Sequence, residues 1–228
     1  MTAVGDGPHD LVVQGMTKTF GTRALWTDLS FTLPGATMTA VRGPSGSGKT
    51  TMLNCIGLLE PFDAGTIRLG GRALAPATRS SARARHRDLL GYLFQNYGLV
   101  ESWDVRRNLL VPLRNRPVPR SEWARAIEAA LARVGMGGAE RERIYTLSGG
   151  EQQRIALARL ILKAPSLVLA DEPTSALDSG NADLVMTILA ELAESGALVV
   201  VSTHNDSVAQ RCDGTLWLGE EAEPRVRV

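Results

Sequence analysis

Gly43-Pro44-Ser45-Gly46-Ser47-Gly48-Lys49-Thr50 fits the pattern G-x-x-x-x-G-K-[ST] without a mismatch. These residue types suit one task, the holding of a phosphate chain. Gly46 and Gly48 let backbone N–H groups close around phosphate oxygens, and a helix beginning at Lys49 points its positive end at the same anion. Lys49 would hold the β- and γ-phosphates and Thr50 would ligate Mg²⁺, with Gly43, Ser45, Ser47 and Thr51 completing the candidate loop. An ordinary Gly/Ser-rich turn with a chance lysine would share the pattern, but Lys18, Lys49 and Lys163 are the chain's only lysines. The flanks also agree. Residues 36–42 form a strand-sized apolar run, and Met52, Cys55, Ile56 and Leu59 recur at helical spacing up to Pro61.

Three other stretches deliver polar residues to the ends of apolar runs. Residues 167–170 are apolar without alternation, as in a strand covered on both faces, and lead into Asp171-Glu172. Adjacent carboxylates at a strand end suit Mg²⁺ and water chemistry; a salt-bridged loop is the plainer alternative, which leaves the preceding apolar strand unexplained. Residues 197–202 are a second such run, ahead of His204, and residues 91–95 a third, ending in Gln95. In a parallel sheet, ligands sit at the strands' carboxyl ends, so His204 is read as a phosphate or water contact. Leu147-Ser148-Gly149-Gly150-Glu151-Gln152 opens a helix on a glycine pair, a second anion-binding terminus, with Ile155, Ala158, Ile161 and Leu162 as its buried side.

The elements positioning these residues follow in order. The chain has 228 residues, 44% of them hydrophobic, and a formal net charge of +1, which allows one core with a subdomain and does not mark a polyanion binder. No run is long enough to span a membrane. Residues 1–10 lack a signal-peptide pattern and are read as a frayed cytoplasmic end. Cys55 and Cys212 lack metal-ligand spacing and are read as reduced, structural thiols. Residues 11–33 form two β-runs about Gly21-Thr22, and residues 66–74 a hairpin turning at Gly70-Gly71, together an antiparallel layer. Phe20 could stack on a purine, although an aromatic in a strand is more often core. Arg79, Arg83, Arg85, His86 and Arg87 are read as a solvated helix face rather than a nucleic-acid patch, since no aromatics are interleaved. Residues 97–144 are helix and loop, with Ser121 a candidate cap for a helix whose Trp123, Ile127, Ala130, Leu131 and Val134 share one face. Residues 215–218 form a last strand, and the tail is too short for a further domain.

The ordered set of glycine loop, Gln95, the Leu147 stretch, Asp171-Glu172, Ser175-Ala176-Leu177-Asp178 and His204 resembles an ABC-type ATPase subunit over almost the whole chain. The Leu147 stretch is its most specific part. The resemblance implies an α/β fold, a P-loop NTPase (RecA-like) core with an antiparallel β subdomain and an inserted α-helical subdomain. Core and β layer would occupy residues 11–95 and 147–219, and the helical insertion 96–146, with flexible ends at 1–10 and 220–228. By the same resemblance Phe20 is the adenine platform, commonly tyrosine, and Gln95 touches Mg²⁺ and reports nucleotide state. Ser148, Gly149 and Gly150 bind the γ-phosphate held by an opposite subunit of a head-to-tail homodimer, and Asp178 crosses that interface. Asp171 helps hold Mg²⁺, Glu172 polarises the attacking water, and His204 contacts the γ-phosphate. ATP and Mg²⁺ are thus the implied cofactors, hydrolysis the implied reaction, and a separately encoded membrane permease the implied partner, with no nucleic acid.

Size and the Gly-Glu-Gln-Gln-Arg continuation are most similar to the lipoprotein-release and macrolide-export group, and residues 92–101 to subunits of bacteriocin export. Residues 96–108, with Trp103 and Arg106-Arg107, depart from that group's commoner stretch where a permease's cytoplasmic helix would dock. The expected function is export of a peptide, bacteriocin, lipoprotein or small molecule, the chain lying on the inner face of the cell membrane through its permease. The alternative is a nucleotide-gated mechanical switch that reshapes a membrane protein without transport. A soluble ABC ATPase acting on DNA or ribosomes predicts coiled-coil insertions or a tandem ATPase domain, both absent from this sequence.

Overall fold

A computed structural model of the chain describes residues 9–75, 78–94, 96–175, 177–219 and the backbone of 225–227. Gln95 and Ala176, with most of the two expected flexible ends, lie outside the described residues.

Strands β1 (Leu11–Phe20), β2 (Arg23–Leu33), β4 (Ala64–Leu69) and β5 (Arg72–Ala75) build an antiparallel sheet in the order β2-β1-β4-β5. The hairpin β4-β5 turns on Gly70 and Gly71, at φ 55 and 71, the left-handed pair a two-residue turn requires. A second sheet has the order β10-β9-β3-β8-β7-β6, from β3 (Met38–Arg42), β6 (Leu90–Leu93), β7 (Leu167–Asp171), β8 (Leu198–Ser202), β9 (Gly214–Trp217) and β10 (Arg225–Arg227). All its pairings are parallel except β9 with β10. That last antiparallel strand stands inside the segment 220–228 read from sequence as a flexible end.

Alternation along the central strands explains the layering. Val168 and Ala170 of β7, like Val199 and Val201 of β8, face one apolar cluster. Leu167, Leu169, Leu198 and Val200 face another. The first is filled by the helices α3 (Val105–Leu113), α4 (Trp123–Arg133), α5 (Gly149–Lys163) and α6 (Ser179–Glu194). The second joins the parallel sheet to the antiparallel one through α1 (Lys49–Ile56), whose Met52, Leu53, Cys55 and Ile56 are fully buried. The helical insertion shares its core with the sheet: Leu109, Ile127 and Leu131 pack in the same cluster as Ile155 and Val168.

Two local expectations are corrected. Ser121 does not cap a helix; it lies within a 3-10 turn, Arg120–Glu122, that leads into α4, and no side chain caps that helix. Leu59 lies past the end of α1 and is 47% exposed, because the helix stops a turn before Pro61. The arginine-rich stretch forms α2 (Arg79–Asp88), capped by the Thr78 hydroxyl, which accepts from the backbone N–H of Ser81.

Candidate functional site

The glycine loop joins β3 to α1, so its position follows from the sheet. Gly43, at φ 154, has no room for a side chain: an added Cβ would lie 2.1 Å from the carbonyl oxygen of Leu218. Gly46 and Gly48, at φ 79 and 89, take left-handed backbone that other residues adopt at a cost. A Cβ on Gly48 would also meet Trp26 and Leu25 at 2.6 Å. The indole N–H of Trp26 donates to the carbonyl of Ser47 at 2.9 Å, so β2 braces the loop from outside. Inside it, Lys49 Nζ donates to the carbonyl oxygens of Gly43 (3.0 Å) and Pro44 (3.1 Å), which preforms the loop about its own lysine. The Ser47 hydroxyl is buried and has no hydrogen-bond partner among the described residues. An orphaned hydroxyl in a cradle of left-handed glycines at a helix amino end fits a phosphate group. Ser45 is exposed, and Thr51 is half-buried in the first turn of α1.

Register carries the site onward. Asp171 pairs with Ser202 across β7 and β8, and Ser202 Oγ donates to Asp171 Oδ1 at 2.5 Å. The same carboxylate oxygen accepts from Thr50 Oγ1 at 3.2 Å. The N–H of Glu172 is shared between Ser202 Oγ (3.0 Å) and the Ser202 carbonyl (3.2 Å). Glu172 has φ 46, left-handed backbone that costs a non-glycine residue about 1–3 kcal/mol and is held here by those bonds. Its Oε1 lies 2.8 Å from His204 Nδ1; the carboxylate is 23% exposed and the imidazole 74%. Thr50, Asp171, Ser202, Glu172 and His204 therefore form one continuous relay at the carboxyl ends of β7 and β8. Among the described residues no cluster of three or more His, Cys, Asp or Glu could hold a metal ion by itself. Two oxygen donors, Thr50 and Asp171, fit a hard cation such as Mg²⁺, which completes its shell with phosphate and water oxygens.

The remaining candidates stand apart. Phe20 is 51% exposed at the end of β1, with Lys18 Nζ 4.8 Å from its ring centroid, so it is no core aromatic. Lys18 pairs with Glu60 at 2.8 Å and donates to the Pro61 carbonyl at 2.7 Å, and the Glu60 bond raises its pKa above the usual 10.5. Ser148 caps α5 in a reciprocal capping box: Glu151 Oε2 accepts from the Ser148 backbone N–H at 2.8 Å. The Ser148 N–H and hydroxyl hold the Glu151 carboxyl below its ordinary 4.5. Asp178 caps α6 through the backbone N–H of Asn181 at 2.9 Å. Ser148, Gly149 and Asp178 are exposed, and among the described residues none is hydrogen-bonded to the relay. Ser202 and Trp26 escaped the sequence reading. Ser202 gave a signal, as the polar residue closing an aliphatic strand two places before His204, whereas nothing marked Trp26.

The family model described as ABC transporter matches residues 26–175, from the strand bracing the glycine loop to the turn after Glu172. This chain belongs to the ABC transporter family. It is accordingly an ATP-binding cassette with the P-loop NTPase fold and ATPase chemistry of that family. It is 40% identical, over 78% of each chain, to the lipoprotein-releasing system ATP-binding protein LolD of Jannaschia sp.. It is 39% identical over 75% of its length to the macrolide export ATP-binding/permease protein MacB of Nitrobacter winogradskyi, of which it spans 26%. Among solved structures, the dimeric form of MJ0796, a bacterial ABC transporter cassette, superposes with a TM-score of 0.85 at 29% identity, covering 95% of this chain and 97% of that one. A post-hydrolysis dimer of MJ0796 bound to ADP and Pi has a TM-score of 0.85 at 28% identity. No helix of the ABC cassette among the described residues is long and apolar enough to cross a membrane.

Proposed function

We propose that this cassette energises an exporter: it hydrolyses ATP as a head-to-tail homodimer and drives a membrane permease on a separate chain, at the inner face of the cell membrane. The observation that carries the hydrolytic part is the relay from Thr50 through Asp171, Ser202 and Glu172 to His204. In it Glu172 is the general base. Its carboxylate, fixed by backbone bonds to Ser202 and by His204, accepts the proton of an attacking water, and His204 also contacts the γ-phosphate. Lys49 exchanges its two carbonyl partners for phosphate oxygens, and the amino end of α1 takes up charge on the transferring group. Thr50 and Asp171 would hold Mg²⁺, with Gln95 as a further contact; bound there, the ion neutralises charge between the phosphates. Phe20, exposed at the rim, would stack on adenine. Ser148, Gly149, Gly150 and Asp178, free of the relay, would meet the nucleotide on the second copy, so that ATP joins the subunits and its hydrolysis releases them.

Export is supported by the likeness to LolD over most of both lengths and to the ATP-binding part of MacB. A relative from Pseudomonas putida is the pyoverdine export ATP-binding/permease protein PvdT, 37% identical over 75% of this chain. A partner also has a place to sit. A cavity of about 340 Å³ opens between α2, β6, α3 and α5, walled by exposed Leu59 and Val111 and by Phe94, one residue before Gln95. The cargo class is peptide or bacteriocin, lipoprotein or small molecule.

Glu172→Gln tests the chemistry. ATP binding should persist, turnover should fall at least ~100-fold, and an ATP-bound dimer should accumulate. Undiminished ATPase activity would remove Glu172 from the role of base. The same variant, purified from gently solubilised membranes with ATP, should bring a multi-span protein with it. A partner with no substrate path would favour the mechanical switch, and recovery of a soluble dimer alone would count against transport.

A further inference from the structure

One side chain joins the two segments assigned above to the second copy. Asn181, in the first turn of α6, accepts from Arg154 Nη1 on α5 at 2.6 Å and donates from Nδ2 to Asp178 Oδ2 at 2.6 Å. Its amide lies against the glycine pair, since a Cβ added to Gly150 would stand 3.4 Å from Asn181 Nδ2. Arg154 Nε is buried without a hydrogen-bond partner among the described residues, so the Asn181 oxygen is the side-chain acceptor that this guanidinium has there. One turn of α5 is also tied to the catalytic strand. Gln153, 6% exposed, donates from Nε2 to the carbonyl of Pro173, directly after Glu172, at 2.5 Å.

We propose that Asn181 is a positioning residue that locks the Ser148–Gly150 turn and Asp178 into one rigid block, presented as a unit to the second copy of the chain. The inference rests on the head-to-tail dimer proposed above. The carboxamide meets both demands from one planar group, an acceptor toward Arg154 and a donor toward Asp178. Aspartate would keep the first contact and set a second carboxylate against Asp178. Leucine, of similar size, would remove both. The backbone N–H and then the side-chain amide of Asn181 also hold the Asp178 carboxyl below its usual range. With the bridge cut, each segment can still fold, but the two no longer arrive in register. The cost then falls on association rather than on nucleotide binding within one subunit.

The test uses the full chain in the Glu172→Gln background, with sedimentation velocity in Mg-ATP to obtain the dimer dissociation constant. Adding Asn181→Leu or Asn181→Asp should raise that constant roughly tenfold, the cost of ordering the two freed segments when the copies associate. Affinity of the monomer for a fluorescent ATP analogue should stay at the parent's value, and Arg154→Met with Asn181→Leu, which leaves no guanidinium without its acceptor, should keep the parent's melting temperature. Arg154→Met should weaken the dimer similarly, and Arg154→Met with Asn181→Leu should be no worse than either alone. A parent dimer unaffected by Asn181→Leu overturns the inference while leaving the dimer reading intact, and so do additive effects of the two substitutions. A fall in monomer affinity, or in the melting temperature of the double variant, that matches the dimer loss assigns Asn181 a merely structural role and overturns it too. If Glu172→Gln itself forms no dimer, the reading beneath it falls as well.

Discussion

Trp26 reaches the glycine loop with one hydrogen bond, its indole N–H to the Ser47 carbonyl, and with its ring against Gly48. Trp26→Phe keeps an aromatic ring but deletes that bond and half of the indole, a net loss of about 1–2 kcal/mol. Steady-state assays should show KM for ATP rising roughly fivefold with kcat little changed, the pattern of lost uniform binding; a collapse of kcat would mean that the indole takes part in the chemistry. The two thiols give a second expectation. Burial pushes Cys55 up to about 11 and Cys212 up to about 12, so both stay protonated at neutral pH. Iodoacetamide at pH 7.5 should leave the native chain unmodified by mass spectrometry and alkylate both residues in urea. At this scale the sequence was most legible in which side chains would meet: Thr50, Asp171, Glu172 and His204, named from their motifs, share one run of hydrogen bonds, and Lys49 lies inside its loop. Ser202 was legible only as the polar residue closing an aliphatic strand, and Trp26 and Asn181 were not legible, because their bonds arise from the approach of a distant element.

The cap of α5 shows what an element adds. Ser148→Ala removes the hydroxyl that accepts from the Glu151 N–H and donates to its carboxylate, and should lower the melting temperature by about 2–4 °C at neutral pH. The pH dependence has a definite sign. The folded Glu151 pKa lies below its ordinary 4.5, so this stabilisation is fully present above that value and is lost as pH falls through the folded one. The gap between the melting temperatures of wild type and Ser148→Ala should therefore narrow in the acid range below 4.5, to what the Glu151 N–H bond alone supplies, and be widest at neutral pH. Helices and strands with a clean period were readable: β7 and β8 as uninterrupted apolar runs, and the β4-β5 hairpin from its glycine pair. Ser121 misled because a residue suited to capping also suits a 3-10 turn, and only packing chooses between them. Leu59 misled because helical spacing continued past a helix that its C-terminal Gly57 had already ended.

For the molecule as a whole, the parallel sheet separates two cores, and a residue of β7 belongs to one or the other by parity. Leu169→Ala, from a fully buried position among α1 and the antiparallel layer, should cost about 3 kcal/mol in urea unfolding, because the cavity opens between rigid elements. The order of the strands was the least legible property, since neither periodicity nor motif says that β3 lies between β8 and β9. That order has a consequence for synthesis. The glycine loop is made before the two strands that hold its own strand in place, Leu198–Ser202 and Gly214–Trp217. A nascent chain halted before Leu198 should form the antiparallel hairpins yet fail to retain an ATP analogue on stalled ribosomes, and one released after Trp217 should retain it. Competence for nucleotide is then gained only once those two strands can pair with β3, so a nascent chain that ends short of them should hold no ATP.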